Sequence, residues 1–228
     1  MAAPTRFPNG IGTRKQPDPM FMLGMPDPSD YHTYWNDFDL YVSGDWTATV
    51  TGTGTAALTA GDGGLLALAT SNANNDNVFL QKTTEGFQIE AGKMAWFKTR
   101  LKVSALTSQI VIGLQVTDTT PLDVTDGIYF LTANTTGVAS LICRKNATTG
   151  STSAAAATLA ADTWIELAWF YDGKDSLIWG VNGRQAGTIT GVSGFLPDTT
   201  ATISLGIQTT SAAVKTLTVD YILAAKER

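Results

Sequence analysis

Histidine and cysteine are almost absent from this chain, which has one of each, His32 and Cys143, in 228 residues. A lone cysteine excludes a disulfide framework and any cysteine-based zinc site, and Cys143, inside VASLICRK, reads as a small buried apolar residue of a strand. His32 lies in SDYHTYW, ahead of the strand-patterned region. That region therefore offers no Ser-His-Asp triad, and the chain no multi-histidine metal site. His32 reads as a polar packing residue. Charge is also scarce, at 15% of residues with a net of −5, and no more than two Lys/Arg are adjacent. A nucleic-acid backbone is therefore not an expected partner. No apolar run approaches the roughly 18 residues of a membrane span, so no membrane is expected. The start, MAAPTRFPNGIGTRKQ, lacks the apolar stretch of a secretory signal, so synthesis in the cytoplasm is expected.

Proline is rare after residue 30. Six of the eight prolines and four of the five methionines fall in residues 1–30. Proline fixes φ and cannot donate to a β ladder, so this stretch can form neither a central strand nor a helix interior. It carries apolar anchors, Phe7, Ile11, Met20, Phe21, Met22, Leu23 and Met25, which a flexible linker would not need. Residues 1–40 are therefore expected to be an extended arm that docks on its own domain or on a partner, and 41–228 a separate domain. The first 17 residues hold Arg6, Arg14 and Lys15 and no acid, a basic end suited to an acidic surface.

From about Tyr41 the dominant spacing is period two, which places alternate side chains on one sheet face. In KMAWFKTRLKV, Phe97, Thr99, Leu101 and Val103 share a face against Lys98, Arg100 and Lys102. QIVIGLQV follows as the expected neighbour across a short loop. In ATISLGIQ, Ile203, Leu205 and Ile207 share a face; in TLTVDYIL, Leu217, Val219, Tyr221 and Leu223 oppose Thr216, Thr218 and Asp220. Asp172-Gly173 and Asn182-Gly183 mark tight turns between TWIELAWFY, SLIWGVN and RQAGTIT. About a dozen short strands, with no helical window longer than ATLAAD, predict an antiparallel β-sandwich or barrel. The low-complexity run TTGSTSAAAATLAA reads as a hairpin tip or exposed strand.

The order WFKTRLKV, IVIGLQV, DGIYFL, DTWIELAWFYDG, LIWGVNG and LTVDYILA resembles the concanavalin-A-like, laminin-G-like jelly-roll sandwiches, with Trp164, Asp172, Gly173, Asn182 and Gly183 in that family's turn positions. The resemblance covers about residues 40–225 and implies an all-β jelly-roll sandwich. The N-terminal part, MAAPTRFPNGIGT followed by LGMPDPSDYHTYWNDFD, resembles tailed-phage virion proteins that coat the capsid exterior as decoration or cement proteins. That likeness implies a structural protein of the virion exterior without enzymatic activity. Its partners would be the major capsid protein and copies of itself, such as a trimer. The residues expected to bind are Phe7, Ile11, Arg14, Met20, Phe21 and Leu23, with Tyr31, Tyr34 and Trp35 as hinge packing.

Sandwiches of this kind include glycoside hydrolases, which need paired carboxylates flanking one glycosidic bond. Here KMAWFKTRLKV and IVIGLQV hold no acid and TWIELAWFY only Glu166. Asp37 and Asp39 stand two apart but read as turn caps. Asp118, Asp123 and Asp126 fall in one loop and are the best calcium candidates, though their spacing matches no EF-hand and they read as turn carboxylates; no metal or other cofactor is assigned. Among six tryptophans, Trp169 and Trp179 read as core. Trp96, on the face of Lys98, Arg100 and Lys102, is the candidate platform for a glycan or an interface. The alternative function is thus a glycan-binding module of a tail fibre or cell-surface protein, using Trp96 or the loops around Asp118–Asp126. Asn134 and Asn146 match the glycosylation pattern and, without a secretory signal, read as loop residues.

Overall fold

The computed structural model describes residues 30–84, 86–132, 136–152 and 155–228. Two eight-stranded antiparallel sheets pack face to face. The front sheet runs β14 (Arg184–Thr190), β13 (Ser176–Val181), β12 (Ile165–Tyr171), β6 (Ala95–Val103), β16 (Thr216–Glu227), β4 (Leu65–Ala69) and β3 (Thr55–Thr59), and β1 (Tyr31–Asn36) pairs with β16 beside β4. The back sheet runs β10 (Thr148–Thr152), β9 (Val138–Lys145), β8 (Gly127–Thr132), β7 (Ser108–Gln115), β15 (Thr202–Thr209), β5 (Asn77–Lys82) and β2 (Trp46–Thr51), with β11 (Ala157–Thr158) on β9. The all-β sandwich expected from the period-two pattern is the fold observed.

The inner faces meet as rows of register partners. Leu80, Leu205, Ile112, Phe130 and Leu141 follow one another across five strands of the back sheet, all buried. Trp179, Trp169, Phe97 and Ala224 do the same across the front sheet, with Phe97 and Trp169 stacked at 6.0 Å. Each fully buried large side chain contributes roughly 1.5–3 kcal/mol of transfer free energy, so these rows hold the sheets together. Cys143 belongs to this core, where burial pushes its thiol up to about 12 and makes it inert as a nucleophile.

Turn chemistry follows the local sequence. Asn182 and Gly183 both take positive φ, 50° and 73°, between β13 and β14, a conformation those residue types tolerate. The Asp172 carboxylate accepts from the backbone N–H groups of Lys174, Asp175 and Ser176. Burial raises its pKa, but the hydrogen bonds together outweigh it and hold the group below its ordinary value. The low-complexity run lies along one edge of β9, as β10 and then β11.

Three expectations are corrected. β6 and β7 are not sheet neighbours, because residues 104–107 carry the chain from the front sheet to the back. In β16 a bulge between Val219 and Tyr221 adds Asp220 against β6. A one-residue slip exchanges the faces, so Ile222 and Ala224 point inward and Tyr221 and Leu223 outward. Finally, the segment assigned to the arm up to residue 40 contains Tyr31–Asn36, which is an edge strand of the sandwich paired along the C-terminal half of β16.

Candidate binding face

The two outer faces differ. Over the back sheet the β7–β8 connection folds across the strands, and Val124 and Leu122 close over Phe79, Val111 and Tyr129. Polar bonds pin that cover: Gln115 Nε2 donates to the Pro121 carbonyl at 3.0 Å, and Asp118 N–H to Gln81 Oε1 at 2.9 Å. The front sheet has no such loop among the described residues, so its outer face is the candidate site.

That face is built from alternate residues of four adjacent strands. β12 supplies Glu166, Ala168 and Phe170; β6 supplies Trp96, Lys98, Arg100 and Lys102; β16 supplies Tyr221, Leu223 and Ala225; β1 supplies Tyr31, Thr33 and Trp35. At its centre Glu166 Oε2 takes two partners, Lys98 Nζ at 2.9 Å and the Tyr221 hydroxyl at 2.6 Å. Burial drives the Tyr221 pKa far up, and the bond to Glu166 and that carboxylate's charge add to it. Arg100 pairs with Asp220, the bulge residue. Trp164 lies beneath both neighbouring cations, the Arg100 guanidinium 4.5 Å and Lys102 Nζ 5.0 Å from its ring centroid. Trp35 stacks on Tyr221 at 5.4 Å and remains 56% exposed. The face therefore combines one open indole with two ion pairs aimed outward. Its two carboxylates stand on the strands flanking β6, about 10 Å apart in strand spacing, and each is held by a β6 cation.

At one end of this face lies an acidic turn. Asn36 Oδ1 accepts the Phe38 N–H at 2.8 Å, while Phe38, at φ 53°, is buried in the core. Asp37 and Asp39 are thus turn residues and not a strand pair. Burial raises the pKa of Asp37, and the charges of Asp220, Asp39 and Asp62 add to the rise.

Of the residues expected to bind, Phe7, Ile11, Arg14, Met20, Phe21 and Leu23 lie outside the described residues. The hinge aromatics divide between the faces. Tyr34 packs against the core, whereas Trp35 faces outward and Tyr31 meets Trp96 edge-on at 5.6 Å. His32 packs on Phe87 at 4.8 Å; burial lowers its pKa, followed by the charges of Arg228 and Lys226. Trp96 is not the open platform expected. It points outward but is only 7% exposed, stacked on Phe170 at 5.1 Å. The open aromatic is Trp35, which period-two reading from Tyr41 onward could not place. Tyr221 and Leu223 fall on the wrong face in the period-two reading because the residues after the bulge, YILAA, are apolar in both phases. A polar residue followed by such a two-phase apolar run is the signal that could have revealed it.

The calcium candidates do not converge. Asp118 caps the Thr120 N–H at 2.7 Å, Asp123 pairs with Arg144, and Asp126 accepts the Asn146 N–H at 3.2 Å. Among the described residues no three His, Cys, Asp or Glu side chains are placed to hold a metal ion. Asn146 sits in the β9–β10 turn with its amide on Asp198; Asn134 lies outside the described residues.

No family model matches the chain, and no curated protein does. Solved structures match at the level of the fold. A protein of unknown function from Shewanella oneidensis MR-1 aligns with TM-score 0.62 at 16% identity, over 87% of each chain. The Bacillus licheniformis β-glucanase aligns at 0.61 and 13% identity, over 84% of this chain and 97% of that one. The carbohydrate recognition domain of Emp47p aligns at 0.58 and 11% identity, over 87% and 97%. The fold is thus the concanavalin-A-like jelly-roll sandwich, which serves enzymes and lectins alike.

Proposed function

We propose that this chain is a structural, non-catalytic protein of the outside of a phage head. In this reading it is a decoration or cement protein whose N-terminal arm lies on the major capsid protein while the sandwich projects from the shell. The observation that carries the reading is the junction. The described chain begins at Asp30, next to β1, and β1 is paired residue by residue from Tyr31 opposite Glu227 to Asn36 opposite Ile222. A pull on the arm must break this six-residue ladder before it reaches the core, each bond contributing about 1 kcal/mol net. The resemblance of the first 39 residues to capsid-coating proteins supplies the shell as partner. Phe7, Ile11 and Arg14, farthest from the sandwich in sequence, are the contacts that reach it, and self-association multiplies their affinity by avidity. Absence of catalysis is supported by the front face, where Glu166 and Asp220 are each held by a cation, unlike a hydrolase's free acid and base. The test is a chain lacking residues 1–17, cosedimented with undecorated heads. The expected result is an unchanged unfolding midpoint with capsid binding lost; retained binding overturns the reading.

A second reading, a glycan-binding module, is favoured by the exposed Trp35 beside the Lys98–Glu166 pair. An indole stacks on the apolar face of a sugar ring while charged groups take its hydroxyls. Two of the matching structures, a β-glucanase and a carbohydrate recognition domain, add weight at the level of the fold. A glycan array followed by calorimetry decides it: binding lost in Trp35→Ala supports the reading, and silence across the array removes it.

A further inference from the structure

We infer that two copies of this chain associate about a two-fold axis through the side of the sandwich where β2 and β3 end the two sheets, β3 pairing antiparallel with its own copy around Ala57. The first observation is where apolar surface is left open. Among the described residues the exposed large apolar side chains are Trp35, Leu40, Val42, Val50, Leu58 and Val214, and all lie on this one side. β1 and β3 border the front sheet there, Leu40 and Val42 lie between β1 and β2, and Val214 precedes Lys215, whose carbonyl accepts the Thr70 N–H just beyond β4. Two of the six belong to the inner rows. Leu58 is the register partner of Leu66 and Val50 of Val78, yet Leu58 and Val50 are 43% and 42% exposed where those partners are 0% and 1%. The seam between the sheets therefore stands open along this side. On the opposite side it is shut: Val192 and Leu196, flanking the 3₁₀ turn Ser193–Phe195, are buried in the core, and Trp179 Nε1 donates to the Ala156 carbonyl at 3.2 Å. Apolar residues exposed singly are ordinary, whereas their concentration on one side marks an interaction surface.

The second observation is that these edges carry none of the devices that keep an edge strand from pairing. Proteins blunt edges with charge, proline or a bulge. From Trp46 to Gly61 the chain has no charged residue and no proline, and β2 and β3 hold unbroken register with β5 and β4. The opposite edges are different. There β14 begins with Arg184, the β13–β14 ladder is bulged between Trp179 and Gly180, and β10 is bulged against β9 between Thr149 and Ser151.

The third selects the occupant. β3 reads Thr55-Ala56-Ala57-Leu58-Thr59, nearly its own reverse, and a two-fold contact must be complementary to itself. Paired antiparallel about Ala57, Thr55 of one copy meets Thr59 of the other, where hydroxyl pairs across strands are favourable. Ala56 meets Leu58, the small side chain leaving room for the large one. A strand without charge meets its copy without like-charge repulsion, and a charged partner finds nothing on the strip to pair with. The strip is roughly 20 Å long with its two sheets about 10 Å apart, a small interface, so a dimer dissociating in the roughly micromolar range is expected. This surface supplies the self-association of the capsid reading but does not rest on it; because it is probed on the free full chain, its failure is distinguishable from a loss of head binding.

The test is sedimentation velocity of the full chain over a concentration series, in which a monomer–dimer equilibrium is expected. Ala57→Lys sets like charges on the axis at a position exposed in the monomer. It should weaken association at least about tenfold while leaving the far-ultraviolet circular dichroism unchanged. Ala186→Lys, exposed on the far edge strand β14, should leave association as it was. A second measurement uses a short bismaleimide. Ala57→Cys should give a covalent dimer, since Cys143 is buried and contributes no background, whereas Ala186→Cys should stay monomeric. A full chain that remains monomeric throughout the series, a trimer, or association and cross-linking indifferent to the substitution of Ala57 overturns the proposal.

Discussion

The two outer faces of the sandwich are finished in different ways. The back sheet is closed by its own chain, with a loop whose Val124 and Leu122 lie on Phe79, Val111 and Tyr129 and whose polar groups are bonded to the strands beneath. The front sheet instead carries ion pairs, an open indole and an outward-facing aromatic cluster of Trp96 and Phe170 with Tyr31 packed against it. A face sealed by its own loop is part of the core, and its side chains matter for stability. A face finished with outward-aimed charges and one exposed indole is available to something else.

Substitutions at matched depth sharpen this contrast. The largest effect is expected on the back. Tyr129→Ala should lower the unfolding free energy by about 3–5 kcal/mol, as for other buried aromatics, measurable by urea titration; a loss below 1 kcal/mol would mean that the loop does not seal that face. Next is Glu166→Gln on the front, expected to cost about 0.5–1 kcal/mol, because the ion pair it breaks is partly solvated. It should also change the alkaline limb of stability. Tyr221 holds its proton more tightly folded than unfolded, so its contribution is fully present below the ordinary tyrosine range and is lost as pH rises from that range toward the raised folded value. The substitution should lower the pH at which Tyr221 titrates in ultraviolet absorbance while leaving the part due to burial.

Trp35→Ala should cost less than about 1 kcal/mol, the value of an exposed aromatic stack, yet it removes the one open indole on this face among the described residues. A large loss of stability would instead make Trp35 structural. The smallest effect is expected from Asp37→Asn. The raised folded pKa of Asp37 means that its ionisation opposes folding at neutral pH. The variant should melt slightly higher at pH 7, with the difference closing as pH falls toward the ordinary aspartate range, followed by scanning calorimetry.

Period two alone sufficed for much of this. It placed Phe97, Leu101, Ile203, Leu205 and Ile207 on inner faces, and the Asn-Gly and Asp-Gly pairs placed two hairpins, because strand faces and tight turns depend on neighbours within a few residues. The same rule misread Tyr221, since a bulge shifts the phase without leaving a local trace in an apolar run. It also assigned Trp96 to an open platform, because alternation tells which way a side chain points and not what lies above it.

Residue order and composition therefore determined the β architecture and the turns, both of which follow from backbone preference and side-chain chemistry acting locally. Only the tertiary structure decided which sheet each strand joined, that Glu166, Lys98 and Tyr221 would meet from three strands, and that Trp35 and not Trp96 would stay open. Those outcomes depend on contacts between residues scores of positions apart, and on which face another part of the chain covers.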